Sequence, residues 1–179
     1  MIRNSQDNWG SLARGLHWLL AVLIFVQAVL GWIAHEMDRS PGKITLMTAH
    51  KSLGITILML IAVRLAWRWI NPTPDPPPGS KSWEILLARL THAAIYLSVI
   101  GVALSGWLTA STSIIAWKFW WAFQWPRLSG PNPDLHELSG EVHETLVTAL
   151  AGLLIVHTAA AFKHHFIDRD QVLLRMWKG

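Results

Sequence analysis

Four apolar runs, each long enough to cross a bilayer, limit what this chain can fold into more than any other feature. They cover residues 12–34, 49–70, 85–110 and 142–166. About 20 mostly apolar residues make a helical span of the hydrocarbon layer. No water reaches that layer to satisfy a free backbone N–H or C=O, so each run has to be helical. Four spans with polar connections predict an all-α membrane protein: an antiparallel four-transmembrane-helix bundle with both termini on one side. Residues 1–179 read as a single transmembrane domain. Hydrophobic residues make up 52% of the chain and charged residues 15%, too apolar for an ordinary soluble domain. The lipid bilayer is therefore the first partner, and no nucleic-acid partner is expected despite a net charge of +4. The first run is too long for a cleavable signal peptide and no small-residue cleavage site follows it.

The connections differ in kind. Residues 35–43 contain Ser40-Pro41-Gly42, which is turn chemistry. Residues 71–79 hold five prolines, Pro72, Pro74 and Pro76-Pro77-Pro78, and no helix survives that. Residues 111–140 form the longest connection, first rich in tryptophan (Trp117, Trp120, Trp121, Trp125), then in turn residues. The Trp part reads as a short interfacial helix on the bilayer, or as a cap folded over the bundle. Arg3, Arg14, Arg64, Arg68, Lys81, Arg89, Lys163, Arg169, Arg175 and Lys178 fall on the side of the termini. Arg39, Lys43, Lys51, Lys118 and Arg127 fall on the other. The positive-inside rule then predicts a multi-pass protein of the bacterial inner membrane with both termini cytoplasmic.

The fourth run carries His143 and His157, 14 residues apart. On a helix that is about 21 Å of rise and about 40° short of four turns, so both imidazoles leave one face. Ionisable groups in a span are expensive and default to a functional reading. The same interval recurs in every span: His17 and Gly31, His50 and Arg64, His92 and Gly106. Laid antiparallel, the helices form two levels. The outer level holds His50, His143, Gly31 and Gly106. The inner level holds His17, His157, His92 and Arg64. With no cysteine in the chain, thiolate zinc sites, iron–sulfur clusters and Cys-linked haem are excluded. Zinc or copper would want three or four compact ligands. Two facing histidines between two glycines, which would leave room for a flat macrocycle, suit bis-histidine haem iron. The inner level has three histidines for two axial positions, and spacing leaves His157 free to pair with His17 or His92, or those two with each other. Arg64 suits a haem propionate, or else snorkels at its helix end. Leu146, Leu150 and Leu154 would fill the space between the levels and keep it dry. His164, two turns beyond His157, could take a quinone headgroup or a propionate, or face solvent. His35 and His136 read as loop residues, His165 as solvated, and Glu141 and Glu144 as dipole-favoured acids in a first turn.

These residues make the chain similar to the prokaryotic cytochrome b561 family over nearly its whole length. The likeness rests on Gly15-Leu16-His17-Trp18, Ala49-His50-Lys51-Ser52-Leu53-Gly54, Val63-Arg64-Leu65 and Pro72-Thr73-Pro74. It continues in Thr91-His92-Ala93-Ala94-Ile95-Tyr96, Glu141-Val142-His143-Glu144-Thr145, His157-Thr158-Ala159-Ala160-Ala161, His164-His165 and Leu173-Leu174-Arg175-Met176. The resemblance implies two haem b groups, one between His17 and His157 and one between His50 and His143. It puts His92 outside the ligand set, beside the haem or its propionates. It also implies electron transfer between a periplasmic donor and ubiquinone. The family includes a superoxide oxidase, so superoxide is one candidate donor, and Lys51, Lys118 and Arg127 could draw in such an anion. The acids Asp134, Glu137 and Glu141 work against a simple positive funnel. The alternative is a haem-b anchor subunit of a dehydrogenase or hydrogenase, which needs a redox partner protein.

Overall fold

A computed structural model describes residues 1–178. Four long helices run antiparallel: α1 (Ser11–Glu36), α2 (Pro41–Ile70), α3 (Ser82–Thr112) and α4 (Pro133–Phe162). All four are long and apolar enough to cross a membrane. A π-helical turn (Lys163–Asp168) follows α4, and a short helix α5 (Val172–Trp177) ends the described chain.

Two helices start earlier than the apolar runs suggest. α2 begins at Pro41, with Ser40 as N-cap accepting from the Lys43 N–H at 3.2 Å. α4 begins at Pro133, with Asn132 accepting from the Leu135 N–H at 3.0 Å. Proline at the first helical position gives up a donor that has no intrahelical partner anyway. The opening turns are polar because they rise out of the apolar layer. His136 is therefore on α4 and His35 on the last turn of α1, not in loops.

The expected interfacial helix is absent among the described residues. In its place is a two-stranded antiparallel hairpin, β1 (Lys118–Phe119) and β2 (Phe123–Gln124), pairing Phe119 with Phe123. Trp120 and Trp121 at its tip have φ of 45° and 61°. Such values end a helix, and a bulky side chain tolerates them only when its surroundings hold it there. The hairpin folds back on α2: the Trp120 N–H donates to Ser52 Oγ at 2.8 Å and its indole N–H to Thr56 Oγ1 at 3.2 Å.

At the opposite end of the bundle, the termini and the proline connector lock together. Asn4 Nδ2 donates to the Pro72 carbonyl, and the Asp75 N–H to that of Gln6. Trp18 Nε1 donates to the Met176 carbonyl, and Arg175 to that of Asp75. This is the termini end; the other is the loop end.

The apolar core lies at mid-depth and includes Leu20, Leu53, Ile57, Ile61, Val99 and Leu150, with Ile24 packed against it. Four of these stand seven residues from each member of a 14-residue pair: Ile24, Ile57, Val99 and Leu150. Seven residues is close to two turns. Each helix therefore puts one apolar side chain on its site face, midway between the two levels.

Candidate functional site

At the loop end, His50 from α2 and His143 from α4 face each other with ring centroids 6.3 Å apart and planes at 86°. Both rings are fixed in the same way. His143 Nδ1 lies 2.9 Å from the Val102 carbonyl, and His50 Nδ1 lies 3.2 Å from the Gln27 carbonyl. A carbonyl only accepts, so Nδ1 carries the proton and Nε2 keeps its lone pair. Val102 and Gln27 each stand four residues before a glycine on their helix, Gly106 and Gly31.

Those glycines are what let the rings in. A Cβ on Gly31 would sit 2.8 Å from His50 Cε1, and a Cβ on Gly106 would sit 2.8 Å from His143 Cε1. The sequence suggested that the glycines make room for a planar ligand. They make room for the imidazoles, each crossing the neighbouring helix at its glycine. Gln27 adds a second contact: its amide N–H reaches His50 Nε2 at 3.3 Å, while its own Oε1 is buried without a partner. Ser105 Oγ lies 3.2 Å from His143 Nδ1. Nothing in the sequence singled out Gln27, Val102 or Ser105. Their spacing from the two glycines is the signal that would have found them.

Between these rings opens a cavity of about 270 Å³, with Ile57, Val99 and Leu150 as its floor. Lys51, His136 and Trp117 line it towards the loop end. His136 is thus part of the cavity wall, its Nδ1 2.9 Å from the Thr109 carbonyl. An apolar chamber flanked by two imidazoles whose Nε2 atoms are acceptors, that of His50 met by the Gln27 amide, is an environment that could take an iron macrocycle. Two metal–nitrogen bonds of about 2 Å plus two imidazole half-widths of about 1 Å come to about 6 Å between ring centres.

At the termini end, His17 of α1 and His157 of α4 stand 6.2 Å apart, centroid to centroid, at 72°. His92 of α3 is also beside His157, at 5.3 Å. That is shorter than the separation two ligands of one metal require by the same sum. Arg64 does not snorkel to the surface. Its Nη1 donates to the Ala13 carbonyl at 2.8 Å and its Nε to the Tyr96 hydroxyl at 3.0 Å, and its Nη2 lies 3.5 Å from His17 Nδ1. One guanidinium therefore ties α2 to α1 and α3 beside the histidines, using the fixed fork of its donors. Of the three leucines expected between the levels, Leu150 is buried and Leu154 packs on it. Leu146 faces Gly101, where an added Cβ would sit 3.2 Å from its Cδ1.

His164 stands apart, in the π-helical turn. Its Nδ1 is 2.6 Å from Asp170 Oδ2 and 3.3 Å from Asp168 Oδ2. Asp170 Oδ1 also accepts from the N–H of Val172, the first residue of α5, at 2.9 Å. His165 is half-buried against Phe166, with ring centroids 4.8 Å apart.

Known proteins share this chain's sequence along nearly its full length. The family model described as prokaryotic cytochrome b561 matches residues 8–179. Cytochrome b561 homolog 2 of Escherichia coli (strain K12) is 30% identical over 179 residues, covering 97% of this chain and 93% of that protein. Cytochrome b561 homolog 1 of the same organism is 28% identical, covering 90% and 92%. A probable superoxide oxidase, CybB, of Yersinia pestis is 28% identical, covering 94% of each. Such membership implies haem b binding and membrane electron transfer, and four spans fit a multi-pass inner-membrane protein. A four-helix membrane bundle with histidines facing across an apolar chamber, matched over 8–179, belongs to the prokaryotic cytochrome b561 family.

Proposed function

We propose that this chain is a di-haem cytochrome passing electrons across the inner membrane, from a periplasmic donor to the ubiquinone pool. The observation that carries this reading is metric. Two histidine pairs, at opposite ends of one bundle, have ring separations of 6.3 Å and 6.2 Å, both near the about 6 Å that a shared metal requires. His50 and His143 would hold one haem b, and His17 and His157 the other. When bound, each haem b supplies a one-electron iron couple.

The chain's own residues do the rest. The Gln27 and Val102 carbonyls hold His50 and His143 in the ligating tautomer, a device that also makes the imidazole a stronger ligand. The layer of Ile24, Ile57, Val99 and Leu150 excludes water between the two levels. Arg64 sets a fixed positive charge beside His17, where a propionate would be neutralised. His92, packed on His157, supports that ring and takes no ligand position. The Lys/Arg bias puts the termini end in the cytoplasm. His164, whose Nδ1–H donates to Asp170, keeps the Nε2 lone pair available on that side to accept a hydrogen bond from a quinol hydroxyl. Lys51 at the loop-end chamber gives an anionic donor a local attraction. The Yersinia pestis relative's name makes superoxide the first donor to test.

Absorption spectra of the purified protein, oxidised and reduced, with haem counted per chain, test the core. Two b haems per chain are expected. His50→Ala and His143→Ala should lose the same haem, His17→Ala and His157→Ala the other, and His92→Ala neither. Loss of different haems from one proposed pair would sink the ligand assignment. Stopped-flow mixing with superoxide should reduce the haem faster than in buffer. Two haems without that reduction would point instead to a haem-b anchor subunit fed by a soluble partner.

A further inference from the structure

The hairpin at Lys118–Gln124 lies on the wrong side of α2 to serve the histidines. Ser52 follows His50 by two residues, about 200° round the helix, and Thr56 follows it by six, about 240° round. Both therefore point away from the chamber, toward the lipid-facing side of the bundle. Ser52 is nonetheless fully buried, at 0% exposure, because the hairpin covers it. The depth of this contact is unusual for a loop. Gly31 of α1 is level with His50, and α1 runs only five residues further, to Glu36. Thr56 lies six residues beyond His50 in the other direction. The apolar run of α2 begins at residue 49, so Thr56 lies roughly 10 Å inside it, about a third of the about 30 Å thickness of a hydrocarbon core.

A backbone at that depth has no water to bond, and every exposed donor there has to be satisfied within the protein. The backbone N–H groups of the tip meet that condition. The Trp120 N–H donates to Ser52 Oγ, the Trp121 N–H to the Lys118 carbonyl at 3.3 Å and the Ala122 N–H to the Phe119 carbonyl at 2.9 Å. The Trp120 indole N–H goes to Thr56, while the half-exposed Trp121 ring keeps its indole N–H without a protein partner. The residues turned outward are apolar: Trp120, Trp121 and Phe123 are 41%, 51% and 53% exposed. This aromatic surface is continuous with the lipid-facing side of α2. Lys118 and Gln124, the polar pair, sit at the other end of the ladder, away from the tip.

We infer that the hairpin is a re-entrant element whose tip dips into the acyl layer of the loop-end leaflet beside α2, held by Ser52 and Thr56. Its aromatic surface takes lipid and is not a landing site for a water-soluble donor. The left-handed backbone of Trp120 and Trp121 is kept in place by those two hydroxyls. This inference does not depend on how many haems the chain carries.

The chain has no cysteine, so single spin labels can be placed without a background. Trp121→Cys and Phe123→Cys are labelled in the full-length protein in phosphatidylcholine vesicles. Leu97→Cys, on the lipid-facing middle of α3, and Asp38→Cys, in the α1–α2 loop, serve as references. Collision rates with oxygen and with a chelated nickel complex are read by power saturation. At 121 and 123, oxygen should exceed nickel, with a ratio near that at 97 and far from that at 38. Nickel access equal to that at 38 overturns the inference. So does exclusion of both reagents with spin–spin broadening, which would make the patch a contact between two copies. Adding Ser52→Val and Thr56→Val to Phe123→Cys should raise nickel access at 123; unchanged access overturns the anchoring role. Phe123→Cys carries the test by itself if Trp121→Cys fails to fold.

Discussion

Replacing Gly106 with alanine adds one methyl group at the point where His143 crosses α3. That methyl would sit 2.8 Å from Cε1 and 3.0 Å from Nδ1 of the ring, against 3.4 Å for ordinary contact. The ring has to retreat by about 0.6 Å, or the two helices have to part. His143 cannot swing freely, because Nδ1 is held at 2.9 Å by the Val102 carbonyl one turn away. Metal sites tolerate about 0.2 Å of error in ligand distance, so the retreat is about three times what the site absorbs. Overpacking of this kind costs about 1–3 kcal/mol, which is about 5- to 150-fold in an affinity. The substitution also removes a mid-helix glycine, worth about 0.5–1 kcal/mol in the opposite direction. Gly152→Ala controls for that gain, since a Cβ there meets nothing within 4 Å. Haem content by extraction and the reduced α-band spectrum provide the assay. Gly106→Ala should weaken retention of one haem only, the one lost in His143→Ala, and Gly31→Ala should do the same through His50. Gly152→Ala should keep both. Full haem content with an unshifted spectrum in Gly106→Ala would refute the claim that glycine is there to admit the ring. Loss of the haem that depends on His17 would refute the assignment of levels.

Two further substitutions probe the termini end. Arg64→Met removes donors from the Ala13 carbonyl and the Tyr96 hydroxyl, each a hydrogen bond to a charged group worth about 1.5–3 kcal/mol. Thermal loss of the haem spectrum should come earlier, and Arg64→Lys should fail to restore it, because one ammonium does not reproduce a planar fork; full rescue by lysine would show that only charge matters. Asp170→Ala removes the acceptor of the Val172 N–H at the start of α5, a hydrogen bond worth about 1 kcal/mol, together with the anchor of the His164 ring. Limited proteolysis should then cut the C-terminal segment faster, and unchanged cleavage would mean that the Trp18 and Arg14 contacts to α5 suffice.

The spans and their order were legible because lipid leaves the backbone a single local solution, and an apolar run states its own length. Boundaries were not, because α2 and α4 extend through polar turns where hydropathy falls silent. Only the Ser40-Pro41 and Asn132-Pro133 pairs mark those starts, and both also read as turns. The tryptophan hairpin was misread as a helix for a related reason. Residues 117–125 have no period of their own, and their shape is set by Ser52 and Thr56 on another helix. Composition did say that the stretch belongs near lipid, and the cap folded back on the bundle was the nearer of its two readings. Arg64 was readable as a functional charge or a surface one, since the choice turns on Tyr96, 32 residues away.

The site divides along the same line, and the reason lies in how the four helices repeat. α1 and α2 meet through Gly31 and His50 as α3 and α4 meet through Gly106 and His143, each ring bonded to the carbonyl four residues before the opposing glycine. At the loop end the two halves are therefore equivalent, and one 14-residue rule was enough to bring their histidines together. At the termini end the halves differ: Arg64 stands where the other half has His157, while His17 and His92 occupy matching places. Any rule based on the repeat treats His17 and His92 alike. Distance separates them, 6.2 Å against 5.3 Å from His157, and so does Arg64, which reaches α1 beside His17. A guanidinium in the fourth place thus breaks the symmetry of the bundle. It follows that exchanging the roles of His17 and His92 would require moving that charge as well, and His17→Ala should not be rescued by His92 while Arg64 remains.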